Sequence, residues 1–112
     1  MKIADVKLTE LSKTDYESLI PSLQNECSRT LRKLEYAGKK LGIPLENKNG
    51  IDLRGYYKLY FNKARHRIIY TVVDEKIEVA AIDEVLKESL EILGIGERDR
   101  QAIYNIIRQR IS

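Results

Sequence analysis

The sequence predicts an α+β protein in which helices pack on one face of an antiparallel sheet. Apolar residues recur at helical spacing between residues 21 and 41, and short alternating segments separated by turn residues follow between 54 and 82. The chain of 112 residues is long enough for one modest core, and its apolar fraction of 43% and charged fraction of 33% are typical of globular proteins. We therefore expect a single domain spanning residues 1–112.

The N-terminal third contains a strand and two helices. Weak alternation of apolar residues predicts an edge strand over 2–8. Ser12 is the expected N-cap of a short helix, and Pro21 is expected to open a longer one, because proline is tolerated at the first helical position. The apolar stripe of the longer helix consists of Leu23, Cys27, Leu31, Leu34 and Leu41. Gly38 is expected either to end this helix or to weaken its last turn, and Gly42 and Pro44 should stop it.

Three strands are predicted near 54–61, 66–73 and 76–82, which together make an antiparallel meander. A four-residue loop at 62–65 would join the first two strands, and Asp74-Glu75 would form the second turn. The following segment predicts two more helices. An extra acidic helix over 83–93 is indicated by Val85, Leu86, Ser89, Leu90 and Leu93, and a C-terminal helix after Asp99 by Ile103, Ile106, Ile107 and Ile111.

The four-residue loop also sets the register of the first two strands, in which Phe61 pairs with His66 and Tyr60 with Arg67. Because side chains alternate across a strand and cross-strand partners share a face, two sets result. The expected core face consists of Leu59, Phe61, His66, Ile68, Tyr70 and Val72. The opposite face, here named the basic face, consists of Tyr56, Lys58, Tyr60, Arg67, Ile69 and Thr71. His66 is therefore expected to be structural or peripheral.

Charge is segregated along this part of the chain. Residues 53–73 contain no acid and five basic residues, namely Arg54, Lys58, Lys63, Arg65 and Arg67. Residues 74–91 contain seven acids and two lysines. Phosphate oxygens bind guanidinium and ammonium donors, and nucleobases stack on aromatic rings, so the basic face predicts an RNA-binding surface. Basic residues on an open sheet face can alternatively serve to prevent aggregation at strand edges.

Several classes of site are disfavoured by the sequence. Cys27 is the single cysteine, so neither an internal disulfide nor a thiolate metal site can be built. No zinc-type motif and no glycine-rich phosphate loop after a strand is present, so we expect neither a metal nor another cofactor. Without a signal segment or an apolar run of membrane-spanning length, we expect a cytoplasmic protein.

The stretch "LRGYYKLYFNKARHRIIYTVVDEKIEV" resembles the RelE/ParE superfamily of bacterial toxins from toxin–antitoxin pairs. The similarity lies in a Leu-Arg-Gly turn, a Tyr-Lys strand, an Arg-Ile-Ile-Tyr strand and an Asp-Glu-Lys turn, and "GERDRQAIY" is similar to the closing segment of the family. In the RNA-cleaving branch, this resemblance implies a metal-independent endoribonuclease that acts on mRNA in the ribosome and is neutralised by an antitoxin protein.

The resemblance implies a catalytic set of Lys58, Arg67, Arg98 and Tyr104. Lys58 would act as the base if crowding by Arg67 and Arg98 favours its neutral form, and the two arginines would hold the scissile phosphate. Tyr104 would stack on or orient a base. The expected RNA-binding residues are Tyr56, Tyr60, Arg65, Arg100 and Arg108.

The sequence also departs from the family pattern. Tyr60 stands where some relatives carry a second lysine, Glu97 stands where a basic residue is usual, and the helix over 83–93 is absent from compact members. Two alternatives therefore stay open: a ParE-like inhibitor of DNA gyrase, and a non-catalytic RNA- or protein-binding module with the same fold. The presence of the complete catalytic set favours the nuclease.

Overall fold

The computed structural model describes residues 2–46, 52–80 and 83–97, together with Gln109. The elements are the strand β1 (Ala4–Leu8), the helices α1 (Glu10–Glu17) and α2 (Pro21–Ala37), a 3-10 turn (Gly38–Leu41), and the strands β2 (Ile43–Pro44), β3 (Tyr56–Phe61), β4 (His66–Ala80) and β5 (Asp83–Glu97). Within these ranges the strands form one mixed sheet in the order β1-β5-β4-β3-β2, in which β1 and β5 are parallel and the other pairs antiparallel. The α+β prediction is confirmed, as is the edge position of β1.

The first helix begins earlier than predicted. Thr9, and not Ser12, is the N-cap of α1, and its hydroxyl oxygen accepts a hydrogen bond from the backbone N–H of Ser12 at 3.1 Å. Ser12 lies in the first turn and is fully buried. Thr9 is the N-cap because its own backbone is extended and its hydroxyl lies three residues before the N–H that it caps, which is the geometry that capping requires.

The second helix begins at Pro21 as predicted and ends at Ala37, and its C-cap Gly38 has a left-handed φ of 75°. Glycine is needed here for a second reason, since a Cβ on Gly38 would collide with the carboxylate of Glu88. That carboxylate is buried and accepts a hydrogen bond from the backbone N–H of Lys39 at 2.8 Å. The end of α2 is thereby fixed to β5. Within the described ranges, no helix is both long and apolar enough to cross a membrane.

The main core lies between the helices and one face of the sheet. Its buried residues are Ala4, Cys27, Leu34, Phe61, Ile68, Tyr70, Leu90, Ile92 and Ile95. Tyr70 is the largest of them, and its hydroxyl donates to the carbonyl of Lys39 at 2.7 Å and accepts from the N–H of Gly42 at 2.8 Å. Burial raises the pKa of Tyr70 to about 12. The predicted core face of the hairpin is therefore confirmed.

The turn predicted at Asp74-Glu75 is wrong. Strand β4 continues through both residues to Ala80, and the predicted third strand over 76–82 is its second half. The pairing with β5 shifts by one residue between Val72 and Asp74, so Val73 is an extra residue with no direct partner. Residue types that favour turns also occur at bulges, where a strand bends without ending. The Asp-Glu pair therefore indicated a turn in the sequence although it follows a bulge.

The helix predicted over 83–93 is also wrong, because this segment belongs to β5. Strand β5 pairs with β1 on one side and with β4 on the other. Leu90 and Ile92 are two residues apart and both enter the main core, which is the period of a strand. Apolar residues at 86, 90 and 93 fit the period of a helix equally well. Pairing with the two neighbouring strands favours the strand over the helix. The predicted C-terminal helix lies outside the described residues.

Candidate functional site

The register predicted for the hairpin is confirmed. Tyr60 pairs with Arg67, Lys58 with Ile69 and Tyr56 with Thr71. These six residues share the sheet face opposite the helices and the main core. The structure therefore brings together four of the residues predicted to act on RNA, namely Tyr56, Lys58, Tyr60 and Arg67.

Lys58 and Tyr60 contact each other on this face. The ammonium nitrogen of Lys58 lies 5.6 Å from the centroid of the Tyr60 ring, within the range of a cation–π contact. Both side chains are half-buried. On the other side of Lys58 is its cross-strand partner Ile43 of β2, a short strand that the sequence did not predict. An ammonium group and a phenol ring are thus held side by side within reach of solvent.

Arg67 lies on the predicted face. The sequence-based interpretation required it to be on an open surface, and it is not. Only 3% of the residue is exposed. Arg67 lies on β4, which is flanked by β3 and β5, so its side chain has neighbours on both sides. Because a guanidinium stays charged at any working pH, the face contains a buried positive charge. The interpretation of Arg67 as part of an exposed surface is accordingly wrong.

A small apolar cluster shares this face with the charged residues. Leu45, Leu53 and Ile69 are buried together, and Tyr56 packs against them. Hydrogen bonds connect these segments, from the N–H of Leu45 to the carbonyl of Tyr56 at 2.8 Å and from the N–H of Tyr56 to the carbonyl of Leu53 at 3.2 Å. The Tyr56 ring is therefore partly used in packing and less available to a nucleobase than the sequence suggested.

Two glycines of β5 complete the face, and sequence analysis missed their role. Gly94 pairs with Ile69 and Gly96 with Arg67. Among the residues that the structure describes, a Cβ on Gly96 would meet no atom within 4 Å, so these residues leave the space beside Arg67 on β5 open. The sequence signal that could have identified this role is the Gly-x-Gly spacing, because residues two apart lie on one face of a strand.

The hairpin loop holds Arg65 at the edge of the face. Asn62, Lys63 and Ala64 all have left-handed backbone, with φ of 52°, 52° and 64°. The N–H of Asn62 donates to Glu26 Oε1 on α2 at 2.8 Å, which fixes the loop to the helix layer. Left-handed backbone disfavours residues other than glycine, so this anchor helps to stabilise a costly loop. Arg65 itself is exposed, as an RNA-contacting residue requires.

His66 lies on the core-facing side, as the predicted register requires. It is 9% exposed, its ring lies 5.3 Å from that of Phe61, and its Nδ1 is 3.0 Å from the side-chain nitrogen of Asn62. Its cross-strand neighbour on β5 is the exposed Glu97. These contacts make His66 part of the hairpin's support.

Arg54, the remaining cation near β3, is engaged in the turn that precedes this strand. Its Nε and one terminal nitrogen each donate to the Asp52 carboxylate at 2.9 Å. These hydrogen bonds lower the pKa of Asp52 to about 2. Arg54 therefore holds the turn, in agreement with its position in the Leu-Arg-Gly segment.

The other predicted site residues, Arg98, Arg100, Tyr104 and Arg108, lie outside the described residues. Their placement beside Lys58 and Arg67 stays a prediction. Within the described ranges, no three His, Cys, Asp or Glu side chains come close enough to hold a metal ion.

Comparison with known proteins finds similarity along nearly the whole chain, both in sequence and in fold. A protein of Escherichia coli that carries the name RelE-like toxin protein is 24% identical over 106 residues, which is 95% of each chain. The crystal structure of the isolated E. coli RelE toxin matches with a TM-score of 0.60 at 16% identity and covers 96% of this chain and 97% of that one. No family model matches.

The helices packed on a mixed sheet and the basic face opposite them have the architecture of the RelE fold. The chain therefore has the RelE fold, and its sequence is similar to that of a RelE-like toxin along nearly its whole length.

Proposed function

We propose that this protein is a RelE-like toxin that cleaves mRNA on the ribosome and is neutralised by a partner antitoxin. The observation that carries the proposal is the convergence of Lys58, Tyr60 and Arg67 on one sheet face of a chain with the RelE fold. Cations and a phenol ring at this spacing supply what a ribonuclease needs without a metal, namely donors for a phosphate and a flat surface for a base.

The reaction is an attack by the ribose 2′-oxygen on the adjacent phosphorus. The side-chain nitrogen of Lys58 accepts the 2′-OH proton, the new P–O bond forms, and the bond to the 5′-oxygen of the next nucleotide breaks. The leaving 5′-oxygen takes up a proton from water, so the products are a 2′,3′-cyclic phosphate and a free 5′-OH. Arg67 stabilises the negative charge that grows on the phosphate oxygens. Arg98 is the second donor and Tyr104 the second base platform of this proposal.

Arg67 must meet the phosphate from a largely buried position. The open space beside Gly96 is adjacent to Arg67 on β5, and it offers a path by which a phosphate group reaches the guanidinium. A charge held away from water interacts more strongly with a developing oxyanion than an exposed one does, because the local dielectric is lower. Burial of Arg67 is thus compatible with its catalytic role.

The same burial favours a second candidate, a non-catalytic RNA- or protein-binding module. If Arg67 only supports the fold, Lys58 and Tyr60 on the face and Arg65 at its edge still offer accessible cations and a ring for binding RNA. Such a module would bind mRNA without cutting it.

The test is induction of the chain in bacteria without a partner, followed by primer extension on several messages. We expect slowed growth and new 5′ ends within codons of translated messages, and neither effect with Lys58→Ala produced at the same soluble level. Intact mRNA with accumulating DNA breaks would instead indicate a gyrase inhibitor. Normal growth with intact mRNA would favour the binding module.

A further inference from the structure

A groove runs along α2 on the helix side of the sheet, away from the basic face. It has a volume of about 590 Å³ and is lined by residues at helical spacing on α2 and by the following 3-10 turn, namely Arg29, Arg32, Lys33, Tyr36, Ala37 and Leu41. Its position is explained by the core, because Cys27 and Leu34 use the other side of α2 to pack against the sheet. The proposed nuclease chemistry uses none of the groove residues.

The three cations of the groove form no ion pair with any residue that the structure describes. Lys2 and Lys39 form ion pairs with Glu35 and Glu75. By contrast, within the described ranges the side chains of Arg29, Arg32 and Lys33 have neither a hydrogen bond nor an ion pair. All three are exposed. A cluster of three uncompensated charges within about one helical turn attracts an acidic ligand.

The floor between the cations is apolar. Tyr36 is 52% exposed, one of few large apolar side chains so open to solvent among the described residues, and the half-buried Ala37 and Leu41 continue the floor. The aliphatic stems of the arginine and lysine side chains extend this surface while their charged ends reach water. Apolar residues exposed in a concavity with a charged rim are typical of a docking site for another protein.

We propose that this groove binds an acidic amphipathic segment of a protein partner. Apolar side chains of the segment would contact Tyr36, Ala37 and Leu41, and its carboxylates would pair with Arg29, Arg32 and Lys33. A nucleic acid fits less well, because the floor offers one ring and aliphatic surface where successive bases would need several platforms. The identification of the partner as the antitoxin rests on the proposed function. The proposal that the groove binds an acidic segment does not depend on the proposed function.

The groove lies on the opposite side of the sheet from Lys58 and Arg67, so a segment bound there anchors the partner and does not cover the basic face. Anchoring raises the effective concentration of the rest of the partner near the basic face. The groove would thus contribute to partner affinity and leave RNA binding by the isolated chain unchanged.

The probe is a synthetic 16-residue peptide with leucines at helical spacing and glutamates at the other positions, and the control peptide has the same composition in scrambled order. Both are titrated into the ¹⁵N-labelled full chain, made by cell-free synthesis, and the amide signals are followed by NMR. We expect the amphipathic peptide to shift the signals of residues 29–41 and the scrambled peptide to bind at least tenfold more weakly. Equal binding of both peptides, or shifts confined to other residues, would overturn the proposal.

Matched variants separate the groove from general electrostatics. Arg29→Glu/Arg32→Glu should weaken peptide binding at least tenfold, whereas Lys7→Glu/Lys13→Glu, an equal change of charge at other exposed positions, should change it less than twofold. Tyr36→Ser should weaken binding about tenfold and Leu11→Ser, which replaces a side chain of 51% exposure on α1, should not. If both charge variants weaken binding equally, the groove is not a specific site.

A single-stranded RNA oligonucleotide serves as the competing ligand. We expect it to leave the signals of residues 29–41 unchanged, and tighter binding of RNA than of peptide at these residues would overturn the proposal in favour of an RNA surface. The outcome is independent of toxicity. If the growth and primer-extension tests fail while the peptide binds in the groove, the nuclease proposal is wrong and the docking site stands. If the growth and primer-extension tests succeed while the peptide does not bind in the groove, only the docking-site proposal is wrong.

Discussion

The two faces of the β3–β4 hairpin are built from the same two strands and differ in what covers them. Phe61, Ile68 and Tyr70 point towards the helices and belong to the main core. The opposite face combines Lys58, Tyr60 and Arg67 with an apolar cluster of three buried residues. On the first face the buried polar groups of His66 and Tyr70 are hydrogen-bonded, whereas on the other a buried arginine stands two residues from a buried isoleucine.

The difference shows that burial alone does not distinguish structure from function. A core is optimised for stability, and a polar or charged group in it costs free energy unless it is satisfied. A reaction site needs charged groups held in place and partly shielded from water. The apolar cluster of Leu45, Leu53 and Ile69 gives the basic face a fixed support, so substitutions on the two faces should separate stability from activity.

The largest expected effect on activity is that of Arg67→Ala. Loss of a donor to the developing oxyanion typically lowers the rate on the order of a hundred- to a thousand-fold, and loss of a buried side chain should also lower stability by about 1–3 kcal/mol. Both are measured, by single-turnover cleavage on programmed ribosomes and by urea unfolding. Arg65→Ala, an exposed arginine two residues away, should change stability by less than about 0.5 kcal/mol.

An unchanged unfolding midpoint for Arg67→Ala would contradict its burial. Full cleavage by a folded Arg67→Ala would remove this residue from the site and favour a purely structural role.

A second comparison uses two neighbouring isoleucines, both fully buried, on opposite faces. Ile→Ala substitutions in cores cost about 2–5 kcal/mol, depending on how far the site can relax. We expect Ile68→Ala to fall in the upper half of this range, and Ile69→Ala in the lower half, since a small cluster collapses more easily than the main core. Urea unfolding measures the difference.

Cleavage by the same two variants sharpens the comparison. At a temperature where both are folded, Ile69→Ala should cleave more slowly than Ile68→Ala, because Ile69 pairs directly with Lys58. The opposite order would mean that the cluster does not support the reaction site.

The smallest expected effect is that of Tyr70→Phe on the core side. The hydroxyl makes two hydrogen bonds, so its removal should cost about 1–2 kcal/mol at neutral pH and leave cleavage by the folded protein unchanged. The pKa of Tyr70 is raised in the fold, so its contribution to stability is complete below pH 10 and is lost as the pH rises towards 12.

Urea unfolding of both proteins at pH 8, 10 and 11 tests this pH dependence. Lys2 and Lys39, whose pKa values are also raised, act in the same direction in both proteins and cancel in the difference. The stability of the wild type should fall more steeply with pH than that of the variant. Parallel curves would mean that Tyr70 does not titrate in this range.

Much of the hairpin could be predicted from local sequence, because a four-residue loop and two alternating strands determine the pairing of every residue between Tyr56 and Thr71. The start of α2 was equally local, since Pro21 marks the first helical position. These predictions needed no knowledge of distant parts of the chain.

The errors arose where distant segments decide the outcome. The segment Asp83–Glu97 has apolar residues that suit a helix, and it becomes a strand because β1 and β4 lie on either side of it. The burial of Arg67 likewise depends on β5, which the sequence did not place beside it. A cation on a strand with alternating polar and apolar residues is predicted to be exposed, unless it is known that a neighbouring strand covers it.

The most direct test of the reaction site compares Lys58→Ala with Lys63→Ala. Both lysines belong to the same hairpin, and Lys63 is exposed at the loop, outside the basic face. In single-turnover cleavage of mRNA on programmed ribosomes, Lys58→Ala should lower the rate on the order of a hundredfold or more, as expected for loss of a general base, and Lys63→Ala should stay within a few-fold of wild type. Both should melt like the wild type. Equal rates for the two folded variants would contradict the assignment of the basic face as the catalytic surface.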